Sequence, residues 1–119
     1  MKDFRGLKVW EKAHAMAITI YHITKDFPAS ELYGLTSQLR RSATSCPTNI
    51  AEGAGRGTDQ DFKRFLDIAY ASANELDYLL LLAKDLGYLD TKLLPTITTD
   101  IIEIKKMLRA LIQKLIANR

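Results

Sequence analysis

Residues 38–56 of this 119-residue chain, QLRRSATSCPTNIAEGAGR, hold its densest set of groups able to do chemistry. At helical spacing Gln38, Arg41, Ser45, Asn49, Glu52 and Arg56 share one stripe, while Leu35, Leu39, Ala43, Cys46 and Ile50 share another. The polar stripe offers two amides, two guanidiniums, a hydroxyl and a carboxylate. Groups of such defined geometry suit a satisfied network inside a bundle or between subunits. Acid–base catalysis is the sharper alternative, with Glu52 and Glu75 as a carboxylate pair if their helices face each other. Arg41 and Arg56 are equally placed to neutralise both carboxylates, so a structural network is the stronger reading. Pro47 sits mid-stripe without an N–H, and an interior proline costs roughly 3 kcal/mol. A kink held by tertiary packing is expected there.

Other chemistries lack their parts. Cys46, the one cysteine, would need a histidine base with an orienting partner, but His14 and His22 stand near each other with nothing to single them out. A buried, inert thiol is expected. A di-metal bundle site needs Glu-x-x-His on two helices, and only Glu11 with His14 supplies one. The sequence therefore predicts no catalytic residue, no metal and no cofactor: this does not read as an enzyme. The cations are more informative. Lys105, Lys106, Arg109 and Lys114 cluster near the C-terminus, and Lys8 and Lys12 lie one turn apart near the start. Residues 59–90 hold three Lys or Arg against seven Asp or Glu, whereas residues 91–119 hold six against two. Such basic patches would attract phosphate, more so if repeated around a ring. Pairing with Asp67, Asp77 and Asp85 is the competing use of the same cations. No aromatic-rich stacking surface accompanies them, so contact with nucleic-acid backbone, without sequence reading, is expected.

Four helices position these groups. Periodicity places them at about 7–26, 30–53, 59–87 and 91–117. Val9, Ala13, Met16, Ile20, Ile23 and Phe27 form the first seam, beside a second row of Leu7, Trp10, His14, Ala17, Tyr21 and Thr24. Ser30 is the expected cap of the second helix, and Gly53, Gly55 and Gly57 supply its breaker and a flexible connection. Thr58 caps the third helix, whose small patch of Ala69, Ser72 and Ala73 admits a close neighbour, and Gly87 ends it. Asp90 or Thr91 caps the fourth, in which Leu94, Ile97, Ile101, Ile104, Leu108, Leu111 and Leu115 make the seam and Ile102, Ile112 and Ile116 lie aside.

The reading is an all-α, single-domain chain, 1–119, folded as an up-down-up-down antiparallel four-helix bundle. A monomeric bundle buries one stripe per helix, so the spare rows on the first, third and fourth helices predict a homo-oligomer. Residues 1–12 carry six charged side chains and do not read as a signal peptide, and no apolar run reaches membrane-spanning length. A cytoplasmic protein with no membrane partner is expected.

The segments FRGLKVWEKA (4–13), FPASELYGLTSQLRRSATS (27–45), NIAEGAGR (49–56), FKRFLDIAYASANEL (62–76) and LAKDLGYL (82–89) resemble one four-helix-bundle family. It comprises the proteins encoded by intervening sequences of bacterial 23S ribosomal RNA genes, once labelled S23 ribosomal proteins. The accessory variability protein of diversity-generating retroelements is more distantly similar. The resemblance implies a homopentameric ring with a basic surface and, through the retroelement relative, binding of nucleic acid and reverse transcriptase. The expectation is thus a homo-oligomeric binding module with RNA or DNA as leading partner. The alternative is a scaffold ring for a protein partner, with no nucleic-acid role.

Overall fold

Each stretch whose apolar residues recur three and four apart is helical in the computed structural model, which describes residues 3–118. Residues 1, 2 and 119, the ends of the expected domain, lie outside the described residues. The helices are α1, Lys8–Thr24, α2, Leu35–Ala54, α3, Asp59–Asp85, and α4, Leu94–Ala117. Short 3-10 turns, Phe4–Gly6 and Ala29–Glu31, precede α1 and α2. No strand occurs among the described residues. Packing runs α1 on α2, α2 on α3, α3 on α4 and α4 on α1, with no diagonal pair in contact among the described residues, as an antiparallel up-down-up-down order requires. The bundle measures 47 × 24 × 20 Å.

Buried positions follow the helical rows. Val9, Ala13, Met16 and Ile20 from α1 meet Leu39, Ala43, Cys46 and Ile50 from α2. Leu66, Ala69, Ala73, Leu76 and Leu80 of α3 and Ile101, Ile104 and Leu108 of α4 complete the core. Ile112, expected beside the seam, is buried at 2% exposure, while Leu111 is only partly buried. A straight helix drifts about 20° per heptad, so Ile112 replaces Leu111 at the core-facing position in that turn, and Leu115 returns to the expected row. α2 continues through Pro47, whose ring is buried.

Several ends differ from expectation. Ser30 lies in the 3-10 turn and caps nothing; α2 begins at Leu35 instead. Glu31 does the capping from outside the helix, its Oε1 accepting the Leu35 N–H at 3.1 Å and its Oε2 the Tyr88 hydroxyl at 3.2 Å. That second bond, with Phe27 against Tyr88 at 5.7 Å, ties the α1–α2 connection to the α3–α4 connection. Asp90 accepts the Lys92 N–H in a local turn, and α4 starts at Leu94 without a side-chain cap. Thr58 does cap α3, accepting the Asp61 N–H at 3.1 Å, and Gly87 follows α3 with φ +80°, a conformation that favours glycine. α2 ends among its glycines, with Gly55 as C-cap. Gly53 lies in the last turn of α2, where a Cβ would sit 2.7 Å from Phe65 Cβ and 3.0 Å from Phe62 Cδ1. Its missing side chain lets α2 and α3 approach.

Candidate nucleic-acid interface

The polar stripe of α2 divides into separate pieces. Ser45 Oγ lies 2.8 Å from Ser72 Oγ across the α2–α3 seam, and Asn49 Nδ2 donates to Ser45 Oγ at 3.1 Å and to the Ser45 carbonyl at 2.8 Å. This small cluster sits where Ala69, Ser72 and Ala73 leave room for α2, as their sizes foretold. Further along, Arg56 donates to Glu52 at 3.1 Å in an (i, i+4) pair with both side chains about half exposed, and Arg56 also lies over the Phe65 ring at 4.8 Å. Such exposed pairs contribute little to stability. Gln38, Arg41 and Glu75 are exposed and, among the described residues, their side chains make no hydrogen bond. One continuous network from Gln38 to Arg56 with Glu75 is therefore not formed within the chain.

Helix register also separates the two carboxylates. Ser45 stands opposite Ser72 and Gly53 opposite Phe62 and Phe65, so Glu52 lies level with about residue 65, roughly ten residues or about 15 Å from Glu75. Two carboxylates that act on one bond lie about 5–10 Å apart, so this separation is too wide for an acid–base pair. The arginine that does join two helices is Arg40, the neighbour of the one expected. Its Nε donates to Thr24 Oγ1 at 2.9 Å, and its guanidinium covers the Tyr21 ring at 4.7 Å. One residue is 100° on a helix, enough to turn a guanidinium from the α1 side to solvent.

Cys46 is buried against apolar neighbours, and desolvation pushes its thiol up to about 12, so it stays protonated and unreactive at neutral pH. His14 stacks on Trp10, with ring centroids 4.9 Å apart and planes 6° from parallel. Phe4 meets Trp10 edge-on at 4.7 Å. These rings close one end of a groove of about 800 Å³ between α1 and α2, floored by Ala17, Pro47 and Ala51. The second apolar row of α1 is thus a groove wall, with His14 and Tyr21 exposed.

The cations are sorted by the packing of α4. Because Ile101, Ile104, Leu108 and Ile112 face the core, Ile102, Lys105, Lys106, Arg109 and Gln113 form the adjoining stripe beside α3. With Tyr70 and Ala110 they line a groove of about 440 Å³. Arg109 lies over the Tyr70 ring at 4.4 Å, and Lys105 Nζ lies 5.9 Å from the same centroid. A single aromatic ring accompanies the cations; nothing local marked Tyr70, whose place beneath them arises from a neighbouring helix. Of the three α3 carboxylates expected to neutralise them, Asp77 pairs with Lys105 at 3.8 Å. Asp67 pairs instead with Lys63 at 2.7 Å and Asp85 with Lys84 at 3.5 Å. Among the described residues, Lys106 and Arg109 have no carboxylate partner.

The other three candidates do not join this groove. Lys12 is held by Glu103 at 2.9 Å across α1 and α4, and that hydrogen bond raises its pKa. Lys8, one turn earlier, and Lys114, beyond Arg109, are exposed outside it. Among the described residues no helix is long and apolar enough to cross a membrane.

A family model for the 23S rRNA-intervening sequence protein matches residues 5–110. The chain belongs to that family. A solved structure from Bacteroides thetaiotaomicron, described as a protein of unknown function from the S23 ribosomal protein family, is similar in fold and sequence. It superimposes with a TM-score of 0.81 at 30% identity, covering 88% of this chain and 95% of that one. No curated protein matches. Family and bundle agree with the resemblance read from residues 4–89.

Proposed function

We propose that this member of the 23S rRNA-intervening sequence protein family is a non-enzymatic, homo-oligomeric bundle that binds RNA or another nucleic acid through the α3–α4 groove. The observation that carries the reading is the convergence of Lys105, Lys106 and Arg109 around Tyr70, two of the three cations lacking a carboxylate partner among the described residues. Phosphate oxygens would supply what those cations lack. The family's name refers to a 23S rRNA intervening sequence, which supports a partner of this chemistry. The protonated Cys46 and the separation of Glu52 from Glu75 support a binding role over catalysis.

Self-association is supported by the apolar side chains left on the surface. Ile18 and Tyr21 of α1, Ile68, Tyr78 and Leu81 of α3, and Ile102 and Ile116 of α4 are all exposed, on the three helices with spare apolar rows. A closed ring, pentameric by family resemblance, would bury part of that surface and repeat the basic groove around one face. A titration of RNA across salt is the test. Three phosphate contacts give a slope in log affinity against log salt of about −2 for a single strand and about −2.7 for a duplex, or roughly 20- to 40-fold weaker binding between about 50 and 200 mM. Lys106→Glu with Arg109→Glu should abolish most of that affinity. A scaffold for a protein is favoured by one other observation, the apolar α1–α2 groove. That reading predicts no salt-sensitive RNA binding at all.

A further inference from the structure

The groove between α3 and α4 contains more than cations, and the additional parts bear on the form of nucleic acid it accepts. Its floor is apolar: Ile102 is 42% exposed, with Ala110 beside it and the Tyr70 ring behind. Paired strands present phosphates on a convex ridge and keep their bases stacked inside. A duplex would meet Lys106 and Arg109 at the rim and leave that floor in water, gaining nothing from it.

An unpaired nucleotide uses every part. Its phosphate suits Lys105 and Lys106, compact point charges on flexible stems. Its base suits the guanidinium of Arg109, whose inner side is covered by Tyr70 at 4.4 Å and which is itself exposed. A guanidinium lying over a tyrosine ring has a planar face to offer on its outer side, and bases stack on such planes. Gln113 adds a carboxamide that both donates and accepts, so it can meet the edge of any base without selecting one. Lys105 stays oriented toward the ring by Asp77 at 3.8 Å.

We infer that the α3–α4 groove seats one unpaired nucleotide, with its base stacked on Arg109 and its phosphate on Lys105 and Lys106, so that single-stranded nucleic acid is the ligand in preference to duplex. This inference rests on the nucleic-acid reading above and adds the strand state and the stacking platform. The test is fluorescence anisotropy with a labelled oligouridylate and a blunt RNA duplex of equal length, at low and near-physiological salt. The single strand should bind at least about fivefold more tightly, since one stacked base contributes about 1–3 kcal/mol. Arg109→Lys keeps the charge and removes the plane, so it should erase the preference for the single strand. Gln113→Ala, at an exposed position that does not threaten folding, should lower only single-strand affinity, by a fewfold. Salt-sensitive binding in which duplex equals or exceeds the single strand, or a preference that survives Arg109→Lys, overturns the inference and leaves the nucleic-acid reading standing. Binding of neither probe at low salt overturns both.

Discussion

The α2–α3 seam and the α3–α4 groove share a helix yet use polar chemistry in opposite ways. At the seam the polar groups are short. Ser45, Ser72 and Asn49 meet because Gly53, Ala69 and Ala73 bring two backbones together, and each hydroxyl finds a partner at about hydrogen-bond distance. At the groove the polar groups are long. Lys105, Lys106 and Arg109 reach around Tyr70 from a more open contact, and two keep charge to spare among the described residues. Short groups in a tight seam satisfy one another and add stability. Long cations beside an open groove remain available to a ligand. Residue type alone did not separate these roles; the α2 stripe had the richer chemistry on paper and is the more structural of the two.

The largest disruption should come from closing the seam's clearance. Gly53→Ala places a Cβ against Phe65 and Phe62 and should cost about 1–3 kcal/mol in chemical denaturation, with the groove's RNA affinity unchanged in whatever fraction remains folded. Ser72→Ala comes next. It removes one hydroxyl of the pair while Asn49 still serves Ser45, and a loss of about 1 kcal/mol is expected by the same measurement. Arg41→Ala and Glu75→Ala should change the stability of a single chain by no more than about 0.5 kcal/mol, since both side chains are exposed. Sedimentation of the same variants sharpens the comparison: smaller species from Arg41→Ala would mean that the unsatisfied half of the stripe is completed by a second copy.

The smallest effect is at high pH. The hydrogen bond to Glu31 raises the pKa of Tyr88 above the ordinary phenol value. A raised folded-state pKa means stabilisation that is present below the unfolded value of about 10 and is lost as pH rises through the folded one. Thermal melts should therefore show the tie between the two connections weakening only above about pH 10. Tyr88→Phe should remove that part of the pH dependence and lower the neutral-pH melt by the same small amount.

Particular residues show how far the sequence could be read. Apolar spacing located all four helices, Thr58 and Gly87 marked true ends, and the small patch at Ala69–Ser72–Ala73 identified the seam. The start of α2 was misread because Ser30 and Glu31 look like a cap and first turn, whereas Gly34 turns the chain and Glu31 reaches Leu35 from outside. Half of the candidate site was legible, in Lys105, Lys106 and Arg109. Tyr70 was not, because its value depends on lying under a residue of another helix.

Helix number, order, apolar faces and family were determined by the sequence alone, since a helical repeat of 3.6 residues is a local property written into each segment. Only the tertiary structure decided which polar residues meet: Arg40 over Arg41, Ser45 with Ser72, Glu52 kept apart from Glu75, and Tyr70 beneath Arg109. Those outcomes depend on the rotation and register of one helix against the next. A slip of one residue turns a side chain by 100°, and the packing of the whole core is what fixes that angle.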